Sequence, residues 1–203
     1  YDPNGNPLQT TVFNPATGAN DANYVNTYDR ANRLVRMRSP LYPTVPDETW
    51  EYDAFGELAK HTDRNGHVTD FFYDGLGRRT SAIHRTPYSK WVGWQYDGAS
   101  NVKVIRQTNG ESETAPEEFA STRTYDTLNR QLSDSWTIAG IAFKSVSYTY
   151  DDAGNRITMT DPEGAAFSYG YDANNLPTTI VRGGVTYATT SRYPGGQTKE
   201  TLL

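Results

Sequence analysis

The amino-acid sequence predicts an all-β protein: stacked antiparallel β-hairpin repeats forming a curved sheet. Three observations predict it. A dipeptide recurs at a near-fixed interval, a glycine or asparagine follows it at a fixed distance, and the apolar content is too thin for an ordinary core. The dipeptide is Tyr-Asp, found at Tyr1-Asp2, Tyr28-Asp29, Tyr52-Asp53, Tyr73-Asp74, Tyr96-Asp97, Tyr125-Asp126, Tyr150-Asp151 and Tyr171-Asp172. A ninth, altered copy is read at Tyr193-Pro194. Successive tyrosines are 27, 24, 21, 23, 29, 25, 21 and 22 residues apart. Self-similarity at such a period marks a repeat architecture, in which one supersecondary unit is stacked many times. Residues 1–203 therefore read as one repeat array of about nine units. The chain opens inside a repeat at Tyr1, without a starting Met, which reads as a piece of a longer protein.

Each unit is justified from its turn outward. With the tyrosine as position zero, position +4 is Gly5, Asn32, Gly56, Gly77, Ser100, Asn129, Gly154 and Asn175. Gly and Asn tolerate a left-handed backbone, so +4 is expected at positive φ. Asp at the first corner, with Gly or Asn three residues later, is the preference of a type I turn closed by a bulge. Pro3 at the second corner of the first copy suits the same turn. The Asp side chain can cap that turn by accepting backbone N–H bonds, so the Asp is read as a folding residue.

A strand precedes the turn. Position −2 is Trp50, Phe71, Trp94, Tyr148 and Tyr169 in five copies. Residues two apart share a face of a strand, so −2 and the tyrosine form an aromatic pair. Stacked hairpins align such pairs across strands, where each is worth roughly 0.2–1 kcal/mol. Leu34, Leu58 and Val102 stand at +6, where the second strand begins. At the far end of the hairpin, Asp63-Arg64-Asn65-Gly66 and Asp161-Pro162-Glu163-Gly164 repeat the Asp-x-x-Gly chemistry, and Arg182-Gly183-Gly184-Val185 is a tighter turn. Strands of roughly 6–8 residues remain between turns. No long segment carries a 3.6-residue apolar period, so helix is not expected.

Two intervals are long. The run Ser39 to Glu48 holds Pro40, Pro43 and Pro46, and the run Thr108 to Phe119 holds Glu111, Glu113, Glu117 and Glu118 with Gly110 and Pro116. Both read as surface loops protruding from one rim, with Asn14-Pro15-Ala16-Thr17-Gly18 a milder case. The repeat resumes in register on either side, so none reads as a linker between domains.

Leu, Ile, Val and Phe supply only 34 of 203 residues, while Tyr 15 and Trp 4 supply much of the remaining apolar area at a net charge of −5. Aromatic side chains bury large surfaces and keep one polar edge wet. A thin-walled sheet fits this composition. The acidic balance excludes nucleic acid as a main partner, because phosphate binding needs clustered positive charge. Without cysteine there is neither a disulfide frame nor a thiolate metal site. No apolar window reaches the length of a membrane span, so no membrane insertion is expected of this segment.

Catalytic chemistry finds little support. His61 and His67 flank the Asp63–Gly66 turn and could meet across a hairpin, but no third strong ligand is set by spacing, and no metal or other cofactor is expected. No serine sits in a Gly-x-Ser-x-Gly elbow. Asp2 and Asp151 start oxygen-rich loops, yet the twelfth positions, Phe13 and Pro162, exclude an EF-hand.

Tyr52-Asp53-Ala54-Phe55-Gly56-Glu57-Leu58, Tyr73-Asp74-Gly75-Leu76-Gly77-Arg78 and Tyr150-Asp151-Asp152-Ala153-Gly154-Asn155-Arg156 have the form Tyr-Asp-x-x-Gly-Arg/Asn. They closely resemble the RHS/YD-repeat family, which includes bacterial polymorphic toxins, insecticidal toxin-complex components and, more distantly, teneurins. The resemblance covers nearly the whole chain. It implies a sheet that spirals into a hollow shell, and in bacterial members a shell that encloses and shields a C-terminal toxic effector. It therefore implies a secreted, exported or cell-surface bacterial protein whose partners are its own effector segment and the remaining shell repeats. An aspartate-dependent self-cleavage module follows the repeats in such toxins. Asp161-Pro162-Glu163-Gly164 matches one of its blocks locally but occupies an ordinary far-turn position. The reading is a non-enzymatic, structural wall; a carbohydrate-binding or adhesive surface, with glycans stacked on regularly spaced aromatics, is the alternative. Aromatics packed between hairpins would favour the wall, and a solvent-facing row the glycan site.

Overall fold

The structure is a computed structural model and describes residues 1–202 except 15–18, 39–45, 86 and 88. The expected loop around Pro15-Ala16-Thr17-Gly18 and most of the proline-rich run at Pro40 and Pro43 lie outside the described residues. Seventeen strands and no helix are found among the described residues, and the strands are members of one sheet. The fold is all-β and built of stacked antiparallel hairpins, as the sequence predicts.

The strands in order are β1 (Gln9–Asn14), β2 (Ala19–Tyr28), β3 (Leu34–Arg38), β4 (Glu48–Tyr52), β5 (Leu58–Thr62) and β6 (Val68–Tyr73). Then come β7 (Arg79–His84), β8 (Lys90–Tyr96), β9 (Val102–Thr108), β10 (Glu117–Tyr125), β11 (Gln131–Ile138) and β12 (Ile141–Tyr150). The last five are β13 (Arg156–Thr160), β14 (Ala166–Tyr171), β15 (Pro177–Arg182), β16 (Val185–Arg192) and β17 (Thr198–Leu202). Seven of the eight repeated tyrosines, from Tyr28 to Tyr171, end a strand.

The chain forms two compact units, Tyr1–Gly93 with Gln107–Pro116, and Trp94–Arg106 with Glu117–Leu203. In the first, β1 to β8 pair consecutively and antiparallel. In the second, β10 to β17 do the same. At the Tyr28, Tyr52, Tyr73, Tyr125, Tyr150 and Tyr171 hairpins the pairing slips at the tyrosine, as between Phe72 and Tyr73 or Gly170 and Tyr171. That slip is the expected bulge, where one extra residue bends the strand and closes the turn.

Register sorts side chains onto two faces. In the first unit Trp50 pairs with His61, His61 with Thr69, Phe71 with Ala82, and Ala82 with Val92. The Trp50 and His61 rings stack with centroids 5.3 Å apart. The opposite face carries Glu51 against Lys60, Lys60 against Asp70, and Phe72 against Ser81. On that face an added Cβ at Gly93 would lie 2.0 Å from the Trp91 ring, so this glycine lets the indole lie flat over the strand.

Among the described hydrophobic residues only Ala82, Ala120 and Val146 are buried. The sheet is thus one layer thick in side-chain terms, and backbone ladders with side-chain ties carry much of its cohesion. The run expected to protrude between Thr108 and Phe119 differs from expectation. β9 continues to Thr108 and β10 begins at Glu117, leaving a shorter loop. Thr108 is fully buried, and its hydroxyl donates to the carbonyls of Ser112 (2.8 Å) and Gly110 (3.2 Å). Glu111 accepts from Arg85 at 2.8 Å. Buried polar groups seek partners, and this loop satisfies them by folding back on its own unit.

Candidate functional site

The Tyr-Asp turn is the most repeated local structure, and its parts can be taken in order. The Asp backbone N–H donates to the carbonyl four residues on, and the Asp carbonyl accepts from the N–H three residues on. At Asp74 these bonds run to Arg78 (2.9 Å) and from Gly77 (3.0 Å). The same pair recurs at Asp2, Asp29, Asp53, Asp97, Asp126, Asp151 and Asp172. Every +4 residue has positive φ, from 59° at Asn175 to 94° at Gly56, with Gly5, Asn32, Gly77, Ser100, Asn129 and Gly154 between. The left-handed backbone at +4 turns the outgoing strand so that the +5 carbonyl meets the Asp N–H, which is why Gly and Asn dominate there.

The carboxylate fills the turn. Oδ1 of Asp74 accepts from the N–H groups of Leu76 (2.9 Å) and Arg78 (3.0 Å). In six copies Oδ2 accepts from the side chain four residues beyond the Asp. Arg33, Arg78 and Arg130 supply Nε at 2.7, 2.7 and 2.6 Å. Asn6, Asn101 and Asn155 supply Nδ2 at 2.9, 3.0 and 2.9 Å. This gives the Arg/Asn of the motif its physical role. The Arg78 side chain holds the Asp74 carboxyl below its ordinary value, as the Asn101 and Asn155 side chains do for Asp97 and Asp151. For Asp29 the backbone N–H of Arg33 contributes most. At Asp126 burial pushes upward, but the Arg130 backbone and side-chain bonds outweigh it. Hydrogen bonds to the charged form favour it.

The tyrosine reaches out of its own repeat. Tyr28 donates its hydroxyl to the carbonyl of Pro7, Tyr52 to Leu34 and Tyr73 to Leu58, each at 3.0 Å. Tyr125 donates to Val102 and Tyr150 to Gln131 at 2.8 Å, and Tyr171 to Arg156 at 3.0 Å. Every acceptor is at +6 of the preceding repeat, so in these six copies one hydroxyl ties a hairpin to the one before it. Successive turns are tied as well. Asn101 donates to Asn129 and Asn155 to Asn175, both at 2.9 Å. Arg33 lies over the Tyr52 ring at 4.3 Å, and Arg130 over the Tyr150 ring at 4.8 Å while donating to the Asp151 carbonyl. A guanidinium over an aromatic face adds attraction in such places.

These hydroxyl ties escaped the sequence reading, which treats the tyrosines as aromatic surface. The recurring choice of Tyr over Phe at position zero is the signal that could have found them. The ninth turn is also placed differently. Tyr193 donates its N–H to Gln197 and accepts from Gly196, which is the Asp role, and Gly196 has φ 82°. The copy is therefore centred on Arg192-Tyr193, one residue earlier than expected. Arg192 takes the tyrosine's place and donates Nη2 to the Pro177 carbonyl at 2.8 Å, again the +6 position.

The histidines do not converge. His61 Nε2 bonds Glu48 at 2.9 Å, whereas His67 Nδ1 bonds Asp63 at 3.0 Å inside the far turn. Among the described residues no group of three or more His, Asp or Glu is arranged to hold a metal ion. Asp161 makes the same far turn, with its carboxylate accepting from the N–H groups of Glu163 (3.0 Å) and Ala165 (2.8 Å). One buried polar cluster was not foreseen. Asp134, 7% exposed, accepts from Ser121 Oγ at 2.6 Å and Arg123 Nε at 2.9 Å. The cluster is an ion pair between Asp134 and Arg123, closed by the serine hydroxyl bound to the same carboxylate. What the arrangement does is mechanical: it locks turns and ties hairpins in series.

A family model described as RHS Repeat matches residues 52–88, 144–166 and 150–186. Solved structures agree in fold. The TcdB2-TccC3 crystal structure matches 98% of this chain and 13% of its own at 16% identity and a TM-score of 0.60. The TcdB2-TccC3-Cdc42 crystal structure matches 98% and 12% at 15% identity and a TM-score of 0.61. The Tc holotoxin pore of Photorhabdus luminescens matches 98% and 12% at 16% identity and a TM-score of 0.61. The chain thus spans about an eighth of the length of these structures. No curated protein matches it.

Proposed function

We propose that this chain, which belongs to the RHS-repeat family, is a non-catalytic length of the wall of a toxin-type shell. The wall would sequester the protein's own C-terminal effector, sterically, until delivery. A secreted or exported bacterial protein is the setting in which such a wall has a purpose. The observation that carries the reading is the recurring tie from six of the repeated tyrosine hydroxyls to the +6 carbonyl of the preceding repeat. A wall must resist opening between neighbours, and these bonds act between neighbours.

The same ties weigh against glycan stacking on the repeated tyrosines. Their hydroxyls already have partners, and the Tyr52 and Tyr150 faces lie beneath arginines. A sugar would have to displace both. The test is mass spectrometry of the full protein, native and then denatured. A separate C-terminal polypeptide retained natively and released on denaturation is expected. One intact chain with nothing held inside overturns the container reading.

A further inference from the structure

We propose that a groove on the first unit, between the Tyr52 and Tyr73 turns, docks an extended peptide segment that carries a lysine or arginine beside an aromatic or long aliphatic side chain. The groove has a volume of about 850 Å³ and is lined by Phe55, Phe72 and Leu76 with Glu51, Glu57 and Asp70 among others. Phe55 is 92% exposed, Leu76 75% and Phe72 46%. Phe55 and Leu76 are the same corner, +3, of successive turns. The turn itself is made by backbone and Asp bonds, and other copies place Ala31, Ala99 or Ala153 there. A large apolar side chain at this corner therefore does nothing for its own turn. Clustered exposed apolar groups rimmed by polar ones mark interaction surfaces.

The rim selects for positive charge. Glu57 stands at +5, where Arg33, Arg78 and Arg130 donate to the Asp of their own turns. A carboxylate cannot donate to Asp53, and Glu57 instead turns toward the next repeat, with Oε1 2.9 Å from where a Cβ on Gly77 would stand. No basic side chain pairs with it among the described residues. Glu51 meets only Lys60, at 3.4 Å, and its side chain is 62% exposed. Asp70 is already paired with Arg85 at 2.6 Å. The uncompensated charge facing the apolar floor is thus negative, and complementary charge sets the choice of partner. The groove spans neighbouring hairpins, a width of roughly 10 Å at sheet spacing, which suits a few residues of extended chain. This chemistry follows from the side chains named and stands independently of what the wall encloses.

Fluorescein-labelled peptides of alternating Lys-Phe, Glu-Phe and Lys-Ser sequence, read by fluorescence anisotropy on the chain, test it. The Lys-Phe peptide is expected to bind in the micromolar range, at least about tenfold tighter than either control, and to weaken with salt. A Phe55→Ser/Leu76→Ser double variant should lose about tenfold in affinity at unchanged Tm, because both side chains are solvent-facing. Glu57→Arg should lose a similar factor while keeping the fold, since arginine holds that place in other turns. Equal binding of the three peptides, no binding at millimolar concentration, or unchanged affinity in the double variant would overturn the proposal.

Discussion

The hydroxyl of Tyr150 donates to the carbonyl of Gln131 at 2.8 Å, joining residues nineteen apart in sequence and one repeat apart in space. Burial pushes the Tyr150 hydroxyl above its ordinary pKa, which keeps the proton on the donor. Tyr150→Phe removes the bond and leaves the ring. A loss of about 1 kcal/mol is expected, since net hydrogen-bond contributions centre there. Tyr150→Ala also removes the ring beneath Arg130 and should cost about 3 kcal/mol or more. Urea denaturation of both variants checks this. Equal stability of Tyr150→Phe and wild type would show the hydroxyl tie to be idle.

Positive φ at +4 separates two glycines. Gly154 has φ 89° with open space around an added Cβ, whereas at Gly77, φ 73°, that Cβ would meet Glu57. Gly154→Asn should be nearly neutral, because Asn32, Asn129 and Asn175 already hold this conformation. Gly154→Val should cost about 1–3 kcal/mol through backbone strain alone. Gly77→Val also has to displace the Glu57 carboxylate, the end of a flexible side chain, and should be the worse of the two only by a small margin. An unchanged melting temperature in both valine variants would refute the turn argument.

Acid should loosen the array. Asp2 is held below its ordinary value chiefly by the Asn6 side chain, and Asp74 by that of Arg78. A carboxyl lowered by folding contributes its full share above the unfolded value of 3.8 and loses it as the pH falls through the lower folded values. The Tm is therefore expected to be level down to about pH 5 and to fall steeply below about pH 4. Asp74→Asn should flatten that fall, because the amide still accepts but does not titrate. Thermal melts between pH 2 and 7 read the slope, and a flat profile to pH 2 would contradict it.

Asp134 is the partner of both Ser121 and Arg123. Asp134→Ala strands a buried hydroxyl and a guanidinium together, and about 2–3 kcal/mol should be lost. Asp134→Asn should recover part of it through the serine bond. Chemical denaturation distinguishes the two, and an alanine variant as stable as wild type would make the cluster incidental.

Much of this was legible because it is local. The Asp, the +4 Gly or Asn and the +5 Arg or Asn interact within a few residues, so spacing alone encodes their contacts. Glycine four residues after Arg192 carried the correct ninth register too, but the tyrosine at position 193 masked it.

By itself, the sequence determined the all-β class, the turn chemistry at Asp53 and Asp74 and the positive φ at +4. Only the tertiary structure decided which carbonyl each tyrosine hydroxyl meets, that Asn101 reaches Asn129, and that Asp134 sits between Ser121 and Arg123. It also decided that the Glu111 loop folds back onto Arg85. The physical reason is range. A turn closes through bonds of fixed chain separation, which residue order specifies. Ties between hairpins depend on strand register and interval length, and those are settled only when whole hairpins stack.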